Sequence, residues 1–255
     1  MKYDMSSSEQ VIKLDGVSSN ASSLAILADI NLEINKGDFV AVLGKSGAGK
    51  TTLLRTIAGL HKPAKGDVLL YGQNFFSLGQ KKRRMLRKRI GHIPQQFKLI
   101  KETSVFENVM VGRLGHIGAA RSILRAYPKK DVDVVNSLIK RIGLEGKEHT
   151  YVKRLSGGEQ QRVAIARCLA QDPDVILADE PMASLDVELA ENILEILNSA
   201  NKGGTTVICV LHDVEMALRY ARRLVLLDRG IIVSSAPVMG IDENEIRKLF
   251  VNYVN

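Results

Sequence analysis

The run Gly44-Lys45-Ser46-Gly47-Ala48-Gly49-Lys50-Thr51 constrains this chain more than any other feature. It fits the spacing G-x-x-x-x-G-K-[ST] and stands between a continuous apolar stretch, DFVAVL (38–43), and a helical pattern over 51–60 with Leu53, Leu54, Ile57, Ala58 and Leu60. An unbroken apolar run ending in glycine suits a buried parallel strand. The glycines let the backbone wrap close to phosphates with its N–H groups turned inward, and the helix that follows adds a positive end. Lys50 is expected to place a point charge on the β- and γ-phosphates, and the Thr51 hydroxyl to bind Mg²⁺. Thr52 completes the phosphate-binding stretch.

The rest of the pattern is that of an α/β fold. VIKLDGV (11–17) and ILADINLEI (26–34) alternate, which predicts a half-exposed antiparallel edge. DVLLYG (67–72), DVILADE (174–180) and TTVICVLH (205–212) read as further strands, with helices over 187–200 and 214–221 and a hairpin over 223–236. Residues 97–155 are helical in pattern and lack sheet-like apolar runs, so they read as a lobe inserted between a core of 11–96 and 156–235. Residues 236–255 end in a short amphipathic helix, and the whole chain is expected to form one domain.

The strand at 174–180 ends in two acids, Asp179 and Glu180. Acids at a strand's C-terminal end point to the crevice where nucleotides bind in such sheets. Asp179 is expected to hold Mg²⁺, mostly through water, and Glu180 to polarise an attacking water.

Upstream of that strand stands Leu155-Ser156-Gly157-Gly158-Glu159-Gln160-Gln161-Arg162. Small residues opening a helix make a second anion site. With this stretch the sequence resembles the ABC ATP-binding cassette family, whose signature is LSGGQ. The resemblance covers nearly all of 11–235 and implies a P-loop NTPase cassette with a RecA-like core, an antiparallel β edge and an inserted helical subdomain. It further implies ATP and Mg²⁺ as ligands and hydrolysis coupled to transport. Two copies would pair head to tail, with Ser156, Gly157 and Gly158 of each clasping the γ-phosphate held by the other. Gln95, in HIPQQF, would link Mg²⁺ and water to the helical lobe. Asp186, in Ser184-Leu185-Asp186, would cross the dimer interface, and His212 would sense the γ-phosphate.

Asn108 to Gly115, with Arg121-Ser122 and Tyr127-Pro128 beyond, resembles the helical lobe of phosphonate-importer ATPases. So does Ala178 to Asp186, where Ala183 stands in place of the more usual threonine. The resemblance implies integral-membrane permease subunits as partners and, through them, a periplasmic or extracellular solute-binding protein. The chain would then lie at the cytoplasmic face of the membrane. In one place the chain departs from the family. VSSNASSLA (17–25) carries Asn20 where an aromatic usually stacks on adenine, so nucleotide binding is expected to be weaker or less base-selective unless Tyr3 or another group substitutes.

Net charge is +8, and much of it lies in Lys81-Lys82-Arg83-Arg84 with Arg87, Lys88 and Arg89. This run is expected to be a solvated helix face. No aromatics interleave with it, so nucleic acid is not an expected partner. No stretch reaches the ~20 apolar residues of a membrane span, and the polar start MKYDMSSSEQ lacks an apolar leader. Cys168 and Cys209 sit in apolar surroundings and are expected to be buried free thiols of a reducing compartment.

Overall fold

The computed structural model describes residues 9–21, 24–117, 121, 123–182 and 185–239. The alternation near the start produces β1 (Gln10–Ala21) and β2 (Leu24–Asn35), which pair antiparallel. With β4 (Lys65–Leu70) and β5 (Gln73–Asn74) they form a four-stranded sheet in the order β2-β1-β4-β5. A second sheet of six strands has the order β10-β9-β3-β8-β7-β6. Its members are β3 (Phe39–Leu43), β6 (Ile90–Ile93), β7 (Val175–Asp179), β8 (Thr206–Val210), β9 (Arg223–Asp228) and β10 (Ile231–Pro237). Strands β9, β3, β8, β7 and β6 run parallel, and β10 closes one edge antiparallel to β9.

All five residues of β3, β7 and β8 are buried, because both faces of the sheet are covered. Side chains alternate between two cores. Val40, Val42, Val175, Leu177, Ile208 and Val210 pack with Leu53, Leu54 and Ile57 of α1 (Lys50–Ile57) and with the antiparallel sheet. Phe39, Ala41, Ile176, Ala178, Val207 and Cys209 face the other way. There they meet α6 (Val187–Lys202) and α7 (Val214–Tyr220) through Ile193, Leu194, Leu197 and Ala217.

Between β6 and β7 lie α3 (Val105–Arg113), α4 (Lys129–Arg141) and α5 (Gly157–Ala170). Val105, Val109, Val135, Ile139 and Val152 form a third core together with Val163, Ala166 and Ala170 of α5. Helix α5 is therefore shared between the lobe and the sheet. A boundary drawn at 155 divides a helix's packing surface from the residues it covers.

Several boundaries differ from expectation. The first helix spans Lys50–Ile57 rather than 51–60, because Gly59 has φ +66 and Leu60 is exposed. The strand expected at 67–72 runs Lys65–Leu70, since Tyr71 (φ +51) and Gly72 (φ +71) turn the chain. Strand β6 was not anticipated, its four residues being too few for periodicity to show.

The basic run lies on and just after α2 (Gln80–Lys88), an exposed face from which several cations also reach neighbouring loops. Arg83 donates to the Leu78 carbonyl, Arg87 to that of Gly59 and Lys88 to that of Gly115. Arg89 lies 3.5 Å over the Tyr71 ring and pairs with Asp174. Lys81, Lys82, Arg84, Arg87, Lys88 and Arg89 are exposed as expected, and Arg83 is half-buried. Both cysteines are free and buried, and burial pushes the Cys168 thiol up to about 12. Tyr3, Ser122, Ala183, Ser184 and the C-terminal helix expected over 236–255, from residue 240 on, lie outside the described residues.

Candidate active site

Four adjacent parallel strands, β3, β8, β7 and β6, end on the same edge of the sheet. The residues just past those ends are Gly44, His212, Glu180 and Gln95. A strand order that sequence alone does not reveal thus brings together four positions spread over 169 residues.

The phosphate loop is held from behind. The Gly230 N–H donates to the Ala48 carbonyl at 3.0 Å, and the Ala28 N–H to the Gly230 carbonyl at 2.8 Å. Gly44 has φ +152, and a Cβ there would stand 2.1 Å from the Leu227 carbonyl oxygen. Gly49 has φ +102, and its Cβ would meet the Ile26 carbonyl at 2.8 Å. Gly44→Ala is accordingly expected to cost about 1–3 kcal/mol in strain and overlap. A denaturant midpoint equal to that of the native chain would contradict this.

Among the described residues the N–H groups of Ser46, Gly47, Gly49, Lys50, Thr51 and Thr52 find no acceptor. Unpaired N–H groups at a helix start are the donor set an anionic phosphate fits. Lys50 is buried, and its Nζ donates to the Gly44 carbonyl at 2.7 Å and the Lys45 carbonyl at 2.9 Å. Burial holds its pKa below the usual lysine value, opposed by Glu180 and Asp179. Lys45, Ser46 and Gly47 form the exposed crest of the loop.

Thr51 Oγ1 donates to Asp179 Oδ1 at 3.2 Å. Asp179 is buried, and that burial holds its carboxyl above the usual range against the Thr51 hydrogen bond. A hydroxyl beside one carboxylate is a hard oxygen pair, fit to share a magnesium ion with phosphate oxygens. Among the described residues no group of three or more His, Cys, Asp or Glu side chains converges as a metal cage.

Glu180 follows with φ +49, a left-handed conformation that turns its side chain off the strand line. Gln95 Nε2 donates to Glu180 Oε2 at 2.7 Å, and His212 Nε2 lies 2.7 Å from Glu180 Oε1. One carboxylate thus gathers both flanking residues. Sequence reading assigned no role to Gln161, which is buried and donates from its amide to the Pro181 carbonyl. That bond joins α5 to the turn that carries Glu180.

Ser156 caps α5 in a reciprocal box. Its Oγ accepts from the Glu159 N–H at 3.3 Å, and its N–H donates to Glu159 Oε2 at 2.8 Å. A Cβ on Gly158 would strike Leu189 at 2.3 Å, whereas one on Gly157 would meet nothing within 4 Å. Asp186 caps α6, its Oδ1 accepting from the Leu189 N–H at 2.9 Å. Among the described residues no hydrogen bond or ion pair joins Ser156, Gly157, Gly158 or Asp186 to the phosphate loop, Glu180 or His212. Asn20 is exposed on β1, paired with Ala25, one residue from the Ile26 carbonyl that approaches Gly49. Its amide is no aromatic platform.

Comparison with known proteins agrees with this geometry. The ABC transporter family matches residues 27–183. A Phosphonates import ATP-binding protein of Halalkalibacterium halodurans is 41% identical over 225 residues, covering 88% of this chain and 87% of that protein. A protein of the same description from Nostoc sp. is 39% identical over 244 residues, 94% of this chain and 91% of its own length. Among solved structures, the dimeric post-hydrolysis state of the ATP-binding cassette MJ0796 bound to ADP and Pi superposes with a TM-score of 0.81. It is 33% identical, covering 90% of this chain and all of that one. The family match over 27–183 and relatives about 40% identical over most of both chains show that this chain belongs to the ABC transporter family, as an ATP-binding cassette.

Proposed function

We propose that this chain is the ATP-hydrolysing motor subunit of a phosphonate importer. The hydrogen bonds that converge on Glu180 from Gln95 and His212 carry the hydrolytic part of this reading. The relatives named for phosphonate import, matched over most of their length, support the solute class.

In this reading the N–H groups of Ser46, Gly47, Gly49, Lys50, Thr51 and Thr52 and the Lys50 ammonium take the phosphates. Lys50 exchanges its two loop carbonyls for phosphate oxygens. Thr51 and Asp179 would hold Mg²⁺, which would neutralise charge on the phosphate oxygens. Glu180 orients water and accepts its proton, while Gln95 and His212 fix the carboxylate between them.

The second half of the site comes from another copy. Among the described residues nothing lies within 4 Å of where a Gly157 side chain would begin, so its own packing gives no reason for a glycine there. The phosphate of a head-to-tail partner supplies one, with Ser156 and Gly158 beside it and Asp186 at the crossing loop. Closure of two copies over two ATP turns permease subunits, and hydrolysis resets them. Among the described residues no helix is long and apolar enough to cross a membrane, so the proposed route to the cytoplasmic face is docking on those permeases. A solute-binding protein on the far side delivers the phosphonate.

Uptake of a phosphonate, of phosphate and of a polar amino acid, compared in cells carrying the native chain or Glu180→Gln, tests this reading. Loss of phosphonate uptake alone is expected. Unchanged uptake of all three would remove the phosphonate assignment.

A further inference from the structure

Glu159 stands where the LSGGQ signature pattern has glutamine, and the exchange creates an electrostatic problem. Its Oε2 accepts from the Ser156 N–H at 2.8 Å, which places a full negative charge against the turn proposed to receive a γ-phosphate. A glutamine would cap the same N–H without that charge. The structure answers with Lys147, from the loop after α4, whose Nζ pairs with Glu159 Oε1 at 2.5 Å. Both carboxylate oxygens are then occupied, one by the cap and one by the ammonium. The Lys147 hydrogen bond, followed by that of the Ser156 backbone, holds the Glu159 carboxyl below its usual range.

We propose that Lys147 is a positioning residue for the phosphate clasp: it neutralises Glu159 so that the anionic phosphate held by a second copy can approach Ser156 and Gly157. The proposal rests on the reading of that turn as the clasp. Lys147 touches no substrate. It acts through the cap, and a lysine that served stability alone would leave the nucleotide dependence of turnover unmoved.

The test is steady-state ATP hydrolysis by the full chain bearing Lys147→Gln, Lys147→Arg, Glu159→Gln, the Lys147→Gln/Glu159→Gln pair, or Ser156→Ala. Lys147→Gln is expected to raise the ATP concentration at half-maximal rate by about three- to tenfold, as befits an unpaired charge at partial exposure. The maximal rate and the binding of fluorescent ADP to the phosphate loop should stay near native. Lys147→Arg should behave as native, and the paired substitution should return the half-maximal concentration to within about twofold of native. An unmoved value in Lys147→Gln overturns the proposal, as does failure of Glu159→Gln to restore it. Native turnover in Ser156→Ala would instead remove the clasp reading beneath it, so the two failures are distinguishable.

Discussion

Glu180→Gln is expected to bind ATP with near-native affinity while turnover falls by about 10²- to 10⁴-fold, the usual contribution of a positioned general base. The substitution is nearly isosteric. It keeps an oxygen able to accept from Gln95 Nε2 and an amide able to meet His212 Nε2, if the ring presents that nitrogen as acceptor. Only the capacity to take a proton from water is lost. Backbone geometry at 180, with its φ of +49, should survive because Gln161 still holds Pro181 from α5. Hydrolysis assayed at saturating ATP, beside equilibrium binding of the same nucleotide, separates the two effects. A rate within a few-fold of native would place the base elsewhere.

Lys50→Ala should act on binding itself. The ammonium is buried and held below its usual pKa by that burial, so its charge is under-compensated by two loop carbonyls. A phosphate is the partner that relieves this, and charge-assisted hydrogen bonds of that kind are worth about 1.5–3 kcal/mol each. ATP affinity is therefore expected to drop about a hundredfold or more. Because the carbonyls of Gly44 and Lys45 lose their donor, the nucleotide-free protein should also unfold about 1–3 kcal/mol more easily. Titration calorimetry and denaturation without nucleotide measure the two losses independently. Unaltered ATP affinity would contradict the role given to Lys50.

The parts of this site legible in the sequence were those whose chemistry is local. A glycine loop between an apolar strand and a helix carries its own geometry, and so does a serine three residues before Glu159. What was not legible depends on strand order. Gln95 hangs from a four-residue strand, yet the β6–β7 pairing sets it against Glu180, 85 residues away. Lys147 and Gln161 escaped for the same reason, since their partners Glu159 and Pro181 are reached only through tertiary packing. The basic run was legible as an exposed face; its carbonyl partners were not. Charge spacing shows a helix face, but not that Leu78, Gly59 and Gly115 turn carbonyls toward Arg83, Arg87 and Lys88. The helix that opens the nucleotide site ends early because Gly59 adopts a left-handed turn against Phe75, a contact no local pattern encodes.

Completion of each active site by a second copy is tested most directly by the molar mass of Glu180→Gln in solution. Light scattering is expected to give the single-chain value of 28.0 kDa without nucleotide and with ADP. With ATP and Mg²⁺ the mass should double, because the trapped nucleotide holds two copies together. A single-chain mass under all three conditions, with ATP demonstrably bound, would contradict the shared site.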